Sequence, residues 1–240
     1  MTDKREKGMD LLARGDFSAA LTIFNDLFNS GERDWILMHM IGTCFRYTNR
    51  YEEATRFFEE SLKTLPENEP AENKYNVYLS LGIIYQLCED YEGSVLALKR
   101  GIEIYPHWLL FNSLGLTYFH MGEELKCLNS YLKARDSILD YAYSLGGLTE
   151  DDYTKQLDKK YGGKGLILNY DKSFLFLKST TCFSTICNNI GSSYIRLGSL
   201  ENAEKALNEA IENIPEGFDY PLPQEGLDLI KELKEKQRHE

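Results

Sequence analysis

The sequence predicts an all-α protein built from repeated helix pairs, and three regularities support that prediction. Glycine recurs within stretches of helical periodicity, at Gly8, Gly42, Gly82, Gly115 and Gly191. A large apolar residue follows each glycine by three positions, a small residue by twelve and a bulky residue by sixteen. A glycine inside a helix costs roughly 1 kcal/mol relative to alanine. Its return at one phase therefore indicates a repeated close approach between two helices.

Five repeats follow when each glycine is taken as place 8 of a 34-residue repeat. They cover residues 1–34, 35–68, 75–108, 108–141 and 184–217. Each repeat is expected to hold a first helix, A, with the glycine, and a second helix, B, with the small residue at place 20 and the bulky residue at place 24. The glycine should let helix A approach the small residue of helix B. Proline cannot continue a helix, and it closes three repeats, at Pro66, Pro106 and Pro215.

This pattern resembles the tetratricopeptide repeat family. The family's 34-residue helix–turn–helix has small residues at places 8 and 20, bulky residues at places 11 and 24, and proline near place 32. The resemblance covers most of the chain, and it departs at Lys4, Lys7 and Glu32 in the first repeat and at Leu139, where proline would close the fourth. The resemblance implies a right-handed α-α superhelix, a solenoid of about five helix-turn-helix repeats that forms a single domain over residues 1–240.

The glycine intervals mark two irregularities. The second and third glycines are six residues further apart than the repeat requires, which predicts a polar linker around Glu67–Lys74. The fourth and fifth glycines are 76 residues apart, so residues 142–183 form an insertion that the repeat does not explain. A helical insertion is expected there, and a degenerate sixth repeat is the alternative.

Local signals predict the structure of the insertion and of the C-terminal residues. Thr149 and the acidic residues after it are typical of a helix start, and that helix should end near Lys160 before two glycines. Helix A of the fifth repeat is expected from about Lys172 to Leu197, with the apolar stretch Phe174–Leu177 near its beginning. Residues 222–238 are predicted to form a capping helix that covers the last repeat, with contact to a partner as the alternative. One side of this helix carries Leu227, Ile230 and Leu233.

Composition limits the classes of partner and the compartment. The chain has 27 Lys and Arg against 38 Asp and Glu, a net charge of −11, which argues against binding to nucleic acid or to an anionic membrane. No apolar run is long enough to span a membrane, and the polar N-terminus does not resemble a signal peptide. The five cysteines are odd in number and fit reduced thiols better than disulfides. These observations predict a cytoplasmic protein.

No arrangement of residues predicts catalysis. The four histidines are scattered, no Gly-x-Ser-x-Gly motif occurs, and the glycine-rich stretch 162–165 lacks the Ser or Thr of a phosphate loop. Cys182 and Cys187 have no second pair at the spacing of a zinc site. The chain is therefore predicted not to be an enzyme and to need no cofactor or metal.

In the resembled family, the A helices line a concave groove, and this implies a set of partner-binding residues. Transferred place by place, the set contains His39, Thr43, Arg46, Tyr47, Asn76, Leu79, Ile83, Gln86, Leu87, Asn112, Leu116, Phe119, His120, Asn188, Ser192 and Arg196. This mixture of apolar, aromatic and amide side chains suits an extended peptide or an amphipathic helix. The alternative is that another part of the same chain, such as the insertion, occupies the groove.

One subclass of the family can be tested by its residues. Members that hold the C-terminal carboxylate of a chaperone use Lys, Asn and Arg at five set places. Here those places hold Arg5, Met9, Met40, Asn76 and Ser80, so such a carboxylate clamp is not expected.

The predicted function is that of a protein-interaction scaffold or adaptor. It would bind a peptide or protein segment, of unknown identity, in the groove. One alternative is a subunit that self-associates through the insertion. The other is a sensor of a small peptide ligand.

Overall fold

The computed structural model describes residues 2–144, 182–215 and 217–239, and every regular element in these ranges is a helix. The described residues group into two compact units. The N-terminal unit comprises residues 2–106, and the C-terminal unit comprises residues 107–144, 182–215 and 217–239. The predicted all-α fold class is confirmed. The organisation of the whole chain as one domain stays a prediction.

The N-terminal unit consists of three helix pairs. Its helices are α1 (Thr2–Ala13), α2 (Phe17–Asn29), α3 (Trp35–Tyr47), α4 (Tyr51–Thr64), α5 (Ala71–Leu87) and α6 (Tyr91–Ile104). Aspartate side chains begin three of them. The carboxylates of Asp16, Asp34 and Asp90 accept hydrogen bonds from the backbone N–H three residues later, at 3.1, 3.0 and 2.9 Å. Such caps satisfy amides that have no partner within the helix.

The turn between the A and B helices has the same backbone conformation throughout the described repeats. Place 15 has a positive φ angle in all five, at Gly15, Asn49, Glu89, Gly122 and Gly198. Glycine adopts this left-handed region without strain, and asparagine tolerates it better than most residues. The short turn makes the A and B helices of a repeat antiparallel neighbours.

The predicted linker before the third repeat is partly helical. Residues 71–74 form the first turn of α5, and the connection after α4 is confined to residues 65–70. The carbonyl of Pro70 accepts hydrogen bonds from the amides of Asn73 and Lys74, at 3.0 and 3.2 Å. Proline has a backbone angle suited to a helix start, and Glu72 favours the first turn. These local signals lengthen α5 into the inserted residues.

The repeated glycines are contact points between paired helices, but their neighbour differs from the predicted one. A Cβ atom built on Gly42 would lie 2.8 Å from the ring of Phe58, and one on Gly115 would lie 2.7 Å from Tyr131. The other three glycines meet Phe24, Leu98 and Leu207 at 2.5–2.6 Å. In all five repeats the nearest side chain is the bulky residue of place 24, and place 20 comes close only through the Ala203 carbonyl oxygen, 3.4 Å from a Cβ on Gly191. The glycine therefore makes room for a large side chain, which is why that chain can be both bulky and buried.

The C-terminal unit contains two helix pairs and a terminal helix. Its helices are α7 (Trp108–His120), α8 (Glu124–Ser144), α9 (residues 182–196), α10 (Leu200–Glu212) and α11 (Leu222–His239). Helix α8 is 21 residues long, whereas α4 and α6 have 14 each. Those two helices end two residues before Pro66 and Pro106. With Leu139 at the corresponding place, α8 continues past the predicted end of the fourth repeat at residue 141.

The terminal helix α11 packs on α10. Ile230 lies in a buried cluster with Leu200, Ala203 and Leu207, and Leu227 and Leu233 pack against the cluster. A Cβ atom on Gly226 would lie 2.8 Å from Leu207, so this leucine is held between glycines of α9 and α11. The predicted helix after Thr149 and the apolar stretch Phe174–Leu177 lie outside the described residues. So does the beginning of the helix predicted from Lys172.

Candidate functional site

In the N-terminal unit, the predicted binding residues of α3 and α5 lie on adjacent helices. We name them the N-terminal face: His39, Thr43, Arg46 and Tyr47 on α3, with Asn76, Leu79, Ile83, Gln86 and Leu87 on α5. The two helices meet where His39 Nε2 lies 2.8 Å from Ser80 Oγ. The His39 ring also lies 5.2 Å from the ring of Phe58, centroid to centroid. Ser80 and Phe58 were not among the predicted site residues.

His39 connects the two helices and is not a free ligand group. It is half-buried, and its carbonyl accepts a 2.9 Å hydrogen bond from the Thr43 hydroxyl. Burial and the positive charge of Arg46 lower the pKa of His39 to about 4, against a smaller opposing effect of a backbone hydrogen bond at Asn76. The imidazole is therefore neutral at neutral pH, with one ring nitrogen that donates and one that accepts.

The C-terminal ends of α3 and α5 carry the exposed part of the N-terminal face. The Tyr47 ring is stacked on Phe17 at 4.3 Å, and the guanidinium carbon of Arg46 lies 4.5 Å from the Tyr47 centroid. Tyr47 is 40% exposed and Leu87 is 44% exposed. The half-buried residues are Thr43, Arg46, Asn76, Leu79, Ile83 and Gln86. The surface is thus mixed apolar and polar and carries one guanidinium group.

The corresponding surface of the C-terminal unit is the C-terminal face: Asn112, Leu116, Phe119 and His120 on α7, with Asn188, Ser192 and Arg196 on α9. The guanidinium carbon of Arg196 lies 4.5 Å from the Phe119 centroid, and this contact joins α7 to α9. Arg196 also forms an ion pair with Glu124, at the start of α8. Glu124 was not predicted, because its place belongs to helix B.

The residues of the C-terminal face differ in their exposure to solvent. Leu116, Phe119, His120, Ser192 and Arg196 are exposed. Asn188 is 7% exposed and lies within the helix packing, so its placement differs from the groove position implied by the resemblance. Asn112 is half-buried, and its Oδ1 atom has no hydrogen-bond partner in the described ranges.

Arg5 stands at the first place where a carboxylate clamp would carry a positive charge, and it is already paired with acidic residues of this chain. Arg5 lies 2.6 Å from a Glu32 carboxylate oxygen and 2.5 Å from one of Asp34. Burial raises the pKa of Asp34, but the hydrogen bonds from Arg5 and from the Leu37 amide outweigh burial and lower it overall. The ionised carboxylates therefore engage this guanidinium within the protein.

Membrane-spanning helices and metal-binding clusters are both absent from the part of the chain that the structure describes. None of its helices is both long and apolar enough to cross a membrane. Within the same residues, no group of three or more His, Cys, Asp or Glu side chains is arranged to hold a metal ion. Three cysteines are buried, whereas Cys88 is exposed.

Helix pairs packed internally through glycine contacts, with a mixed apolar and polar surface on their A helices, define a helical-repeat protein. Residues 184–216 match the family model described as tetratricopeptide repeat. This match falls on the predicted fifth repeat and agrees with the family resemblance of the sequence pattern.

Solved structures show the same fold. MamA from AMB-1 is 18% identical with a TM-score of 0.57, and the match covers 88% of this chain and 96% of that one. MamA of Desulfovibrio magneticus RS-1 is 15% identical with a TM-score of 0.61, over 88% and 93% of the two chains. YrrB, described as a TPR protein with an unusual peptide-binding site, is 15% identical with a TM-score of 0.55, over 91% and 87%.

Two sequence relatives match about half of the chain. They are the BBSome complex member BBS4 of Bos taurus, 24% identical over 120 residues, and that of Mus musculus, 25% identical over 116 residues. The matches cover 49% and 48% of this chain but 22% and 21% of the relatives. The aligned part of the chain thus corresponds to about a fifth of the relatives' length.

Proposed function

We propose that this protein is a scaffold that binds a peptide or protein segment on the A-helix surfaces defined above as the N-terminal and C-terminal faces. The observation that carries the proposal is the exposure of large apolar side chains on both faces. Tyr47 and Leu87 are exposed on one face, and Leu116 and Phe119 on the other. Exposed apolar surface with a polar surround is typical of protein-interaction sites.

The comparisons support the same class of partner. A peptide-binding site is named for YrrB, and membership of a multiprotein complex is named for BBS4. The acidic net charge favours a protein partner over a nucleic acid. We assign the chain no catalytic role, no cofactor and a cytoplasmic location. Self-association through residues 142–183 is the second candidate, and light scattering at micromolar concentration tests it directly.

A charge-substitution experiment tests the binding faces. The triple variant Tyr47→Glu, Leu87→Glu, Phe119→Glu places a carboxylate at three exposed apolar positions. Partners captured from the native lysate by the tagged full chain, quantified by mass spectrometry, should fall at least tenfold for this variant, because a buried unpaired charge is strongly unfavourable in an interface.

The matched control replaces exposed leucines of the B helices. Leu96 on α6 is 63% exposed and Leu125 on α8 is 73% exposed, so Leu96→Glu with Leu125→Glu adds similar charge away from both faces. This variant should retain the wild-type partners. Circular dichroism should show equal helicity for all three proteins. Equal capture by the triple variant and the wild type would remove the A-helix faces as the binding site.

A further inference from the structure

The N-terminal face carries a single charged side chain, that of Arg46, in a protein whose net charge is −11. The guanidinium lies over the Tyr47 ring and forms no ion pair with any described residue. A ring contact holds the plane of a guanidinium but leaves most of its five N–H donors unused. Because Arg46 is half-buried, an anion bound there would be partly shielded from water.

On the C-terminal face, an arginine that lies against an aromatic ring is paired with a carboxylate of the same chain. Arg196 lies at the same 4.5 Å distance from the Phe119 ring, and the Glu124 carboxylate pairs with it. The two faces therefore share an arginine placed against an aromatic ring. The carboxylate that completes the arrangement comes from the same chain in one face, and no described residue supplies it in the other.

The apolar residue Leu87 on α5 lies at the same level as Arg46 on the adjacent helix α3. The contact between His39 and Ser80 fixes the register of α3 against α5. Arg46 and Leu87 each follow that contact by seven residues, or two helical turns, on the same side of their helix. Both helices are antiparallel to α4, so they run in the same direction. A ligand that contacts Arg46 can therefore also cover the exposed Leu87 side chain.

We propose that the segment bound on the N-terminal face carries an Asp or Glu side chain that pairs with Arg46, next to an apolar side chain that covers Leu87. This inference rests on the proposed function and specifies the chemistry of its ligand. A single guanidinium matches a single carboxylate, which it can bind through two parallel hydrogen bonds. A phosphate carries up to two charges and is typically bound by clusters of arginine, and the rest of this face is uncharged.

The experiment selects ligands from a phage library of random twelve-residue peptides, with the full chain as bait. These peptides are fused to the coat protein at their C-terminus and are not phosphorylated, so any acidic contact comes from an internal Asp or Glu. Peptides enriched on the wild type should contain an acidic residue near a large apolar residue several-fold more often than the unselected library. A second copy of this chain as the occupant would appear as dimerisation in light scattering and would contradict the proposal.

Calorimetry with the enriched peptides, made synthetically with amidated ends, then measures the contribution of each arginine. Arg46→Gln should weaken binding at least tenfold, because a hydrogen bond to a charged group typically contributes about 1.5–3 kcal/mol. Arg46→Lys keeps the charge but loses the paired geometry, so a smaller loss is expected. Arg56→Gln is the matched control, because Arg56 lies on α4, outside both faces, with its guanidinium 5.4 Å from the centroid of the next residue, Phe57, and it should change the affinity less than threefold.

The outcomes separate this inference from the proposed function. Enriched peptides without an acidic preference, or equal affinity for Arg46→Gln and the wild type, would overturn the inference. The proposed function would survive in that case if the triple variant still lost binding. If peptides were enriched no better on the wild type than on the triple variant, both the inference and the proposed function would be contradicted.

Discussion

Each of the two units has an arginine at the same distance from an aromatic ring, yet the charge of the two arrangements differs. Arg46 lies 4.5 Å from Tyr47 in the N-terminal unit, and Arg196 lies 4.5 Å from Phe119 in the C-terminal unit. Only the second arginine has an ionic partner within the described chain, Glu124. The two arginines occupy neighbouring places of the repeat, 12 for Arg46 and 13 for Arg196. The presence or absence of one carboxylate near the arginine then sets the charge of each surface.

A histidine in each unit extends the comparison. The pKa of His39 is lowered to about 4 by burial and by Arg46, whereas burial alone lowers the pKa of His107 to about 4. Both imidazoles are neutral in the folded protein at neutral pH. Of these two histidines, only His39 is also affected by the charge of an arginine.

The largest effect expected from a titratable group is a pH dependence of stability that originates at His39. Its pKa is about 4 in the folded protein and 6.5 for an unperturbed imidazole, so the unfolded chain binds more protons between these values. The free energy of unfolding should therefore rise with pH across this window and reach its full value above about 6.5. Between pH 7 and pH 5 the expected loss is about 2 kcal/mol. His39→Gln should remove this part of the pH dependence.

The two tryptophans allow each unit to be followed separately. Trp35 is buried in the N-terminal unit and Trp108 in the C-terminal unit. In a Trp108→Phe background, urea titrations followed by fluorescence report the surroundings of Trp35. The change in stability between pH 7 and pH 5 is compared with and without His39→Gln. An equal pH dependence in both would show that His39 titrates normally in the folded protein. Asp34 titrates below this window, because its pKa is lowered.

The packing of the helix pairs could be predicted from the sequence in large part, because it depends on periodic volume. Glycine at place 8 and a bulky residue at place 24 recur in every repeat, and the structure brings these two places together. The partner of the glycine was assigned to place 20, since a small residue suggests a close approach. Periodicity alone does not distinguish a small residue that faces a glycine from one that faces a different helix.

The departures from prediction arise where local signals compete with the repeat. Helix α5 begins at Ala71 because Pro70 and Glu72 form a helix start within the inserted residues. Helix α8 extends to Ser144 where Leu139 replaces the closing proline. The pairing of Arg196 with Glu124 could not be predicted, because long side chains on the surface have many rotamers that no repeat position specifies. The surface charge of each face therefore requires the structure.

A smaller effect is expected where a glycine of the N-terminal unit accommodates a phenylalanine. Gly42→Ala places a Cβ atom 2.8 Å from the Phe58 ring, which must then move. Overpacking of this kind costs about 1–3 kcal/mol, and the better helix propensity of alanine offsets about 1 kcal/mol. The free energy of unfolding should therefore fall by about 1 kcal/mol for a steric reason. The urea titration at pH 7, followed by the fluorescence of Trp35, measures this loss.

A double-mutant cycle tests this steric cause. Phe58→Leu removes the ring and is destabilising on its own, but it leaves space for the new methyl group. The double variant should therefore be more stable than the sum of the two single effects predicts, by about 1 kcal/mol. Strict additivity would mean that the methyl group and the ring do not compete for the same space.

The smallest expected effect concerns the terminal helix of the C-terminal unit, where packing and charge can be separated. Lys234 on α11 lies 2.5 Å from Glu204 on α10, and both side chains are more than a third exposed. Such a pair contributes about 0.5 kcal/mol, so Lys234→Met should lower the Trp108 unfolding midpoint only slightly in a Trp35→Phe background. Ile230→Ala removes a buried side chain that packs with Leu207 and should cost about 2–4 kcal/mol by the same measurement. A loss for Lys234→Met as large as that for Ile230→Ala would show that charge, and not apolar packing, holds this helix in place.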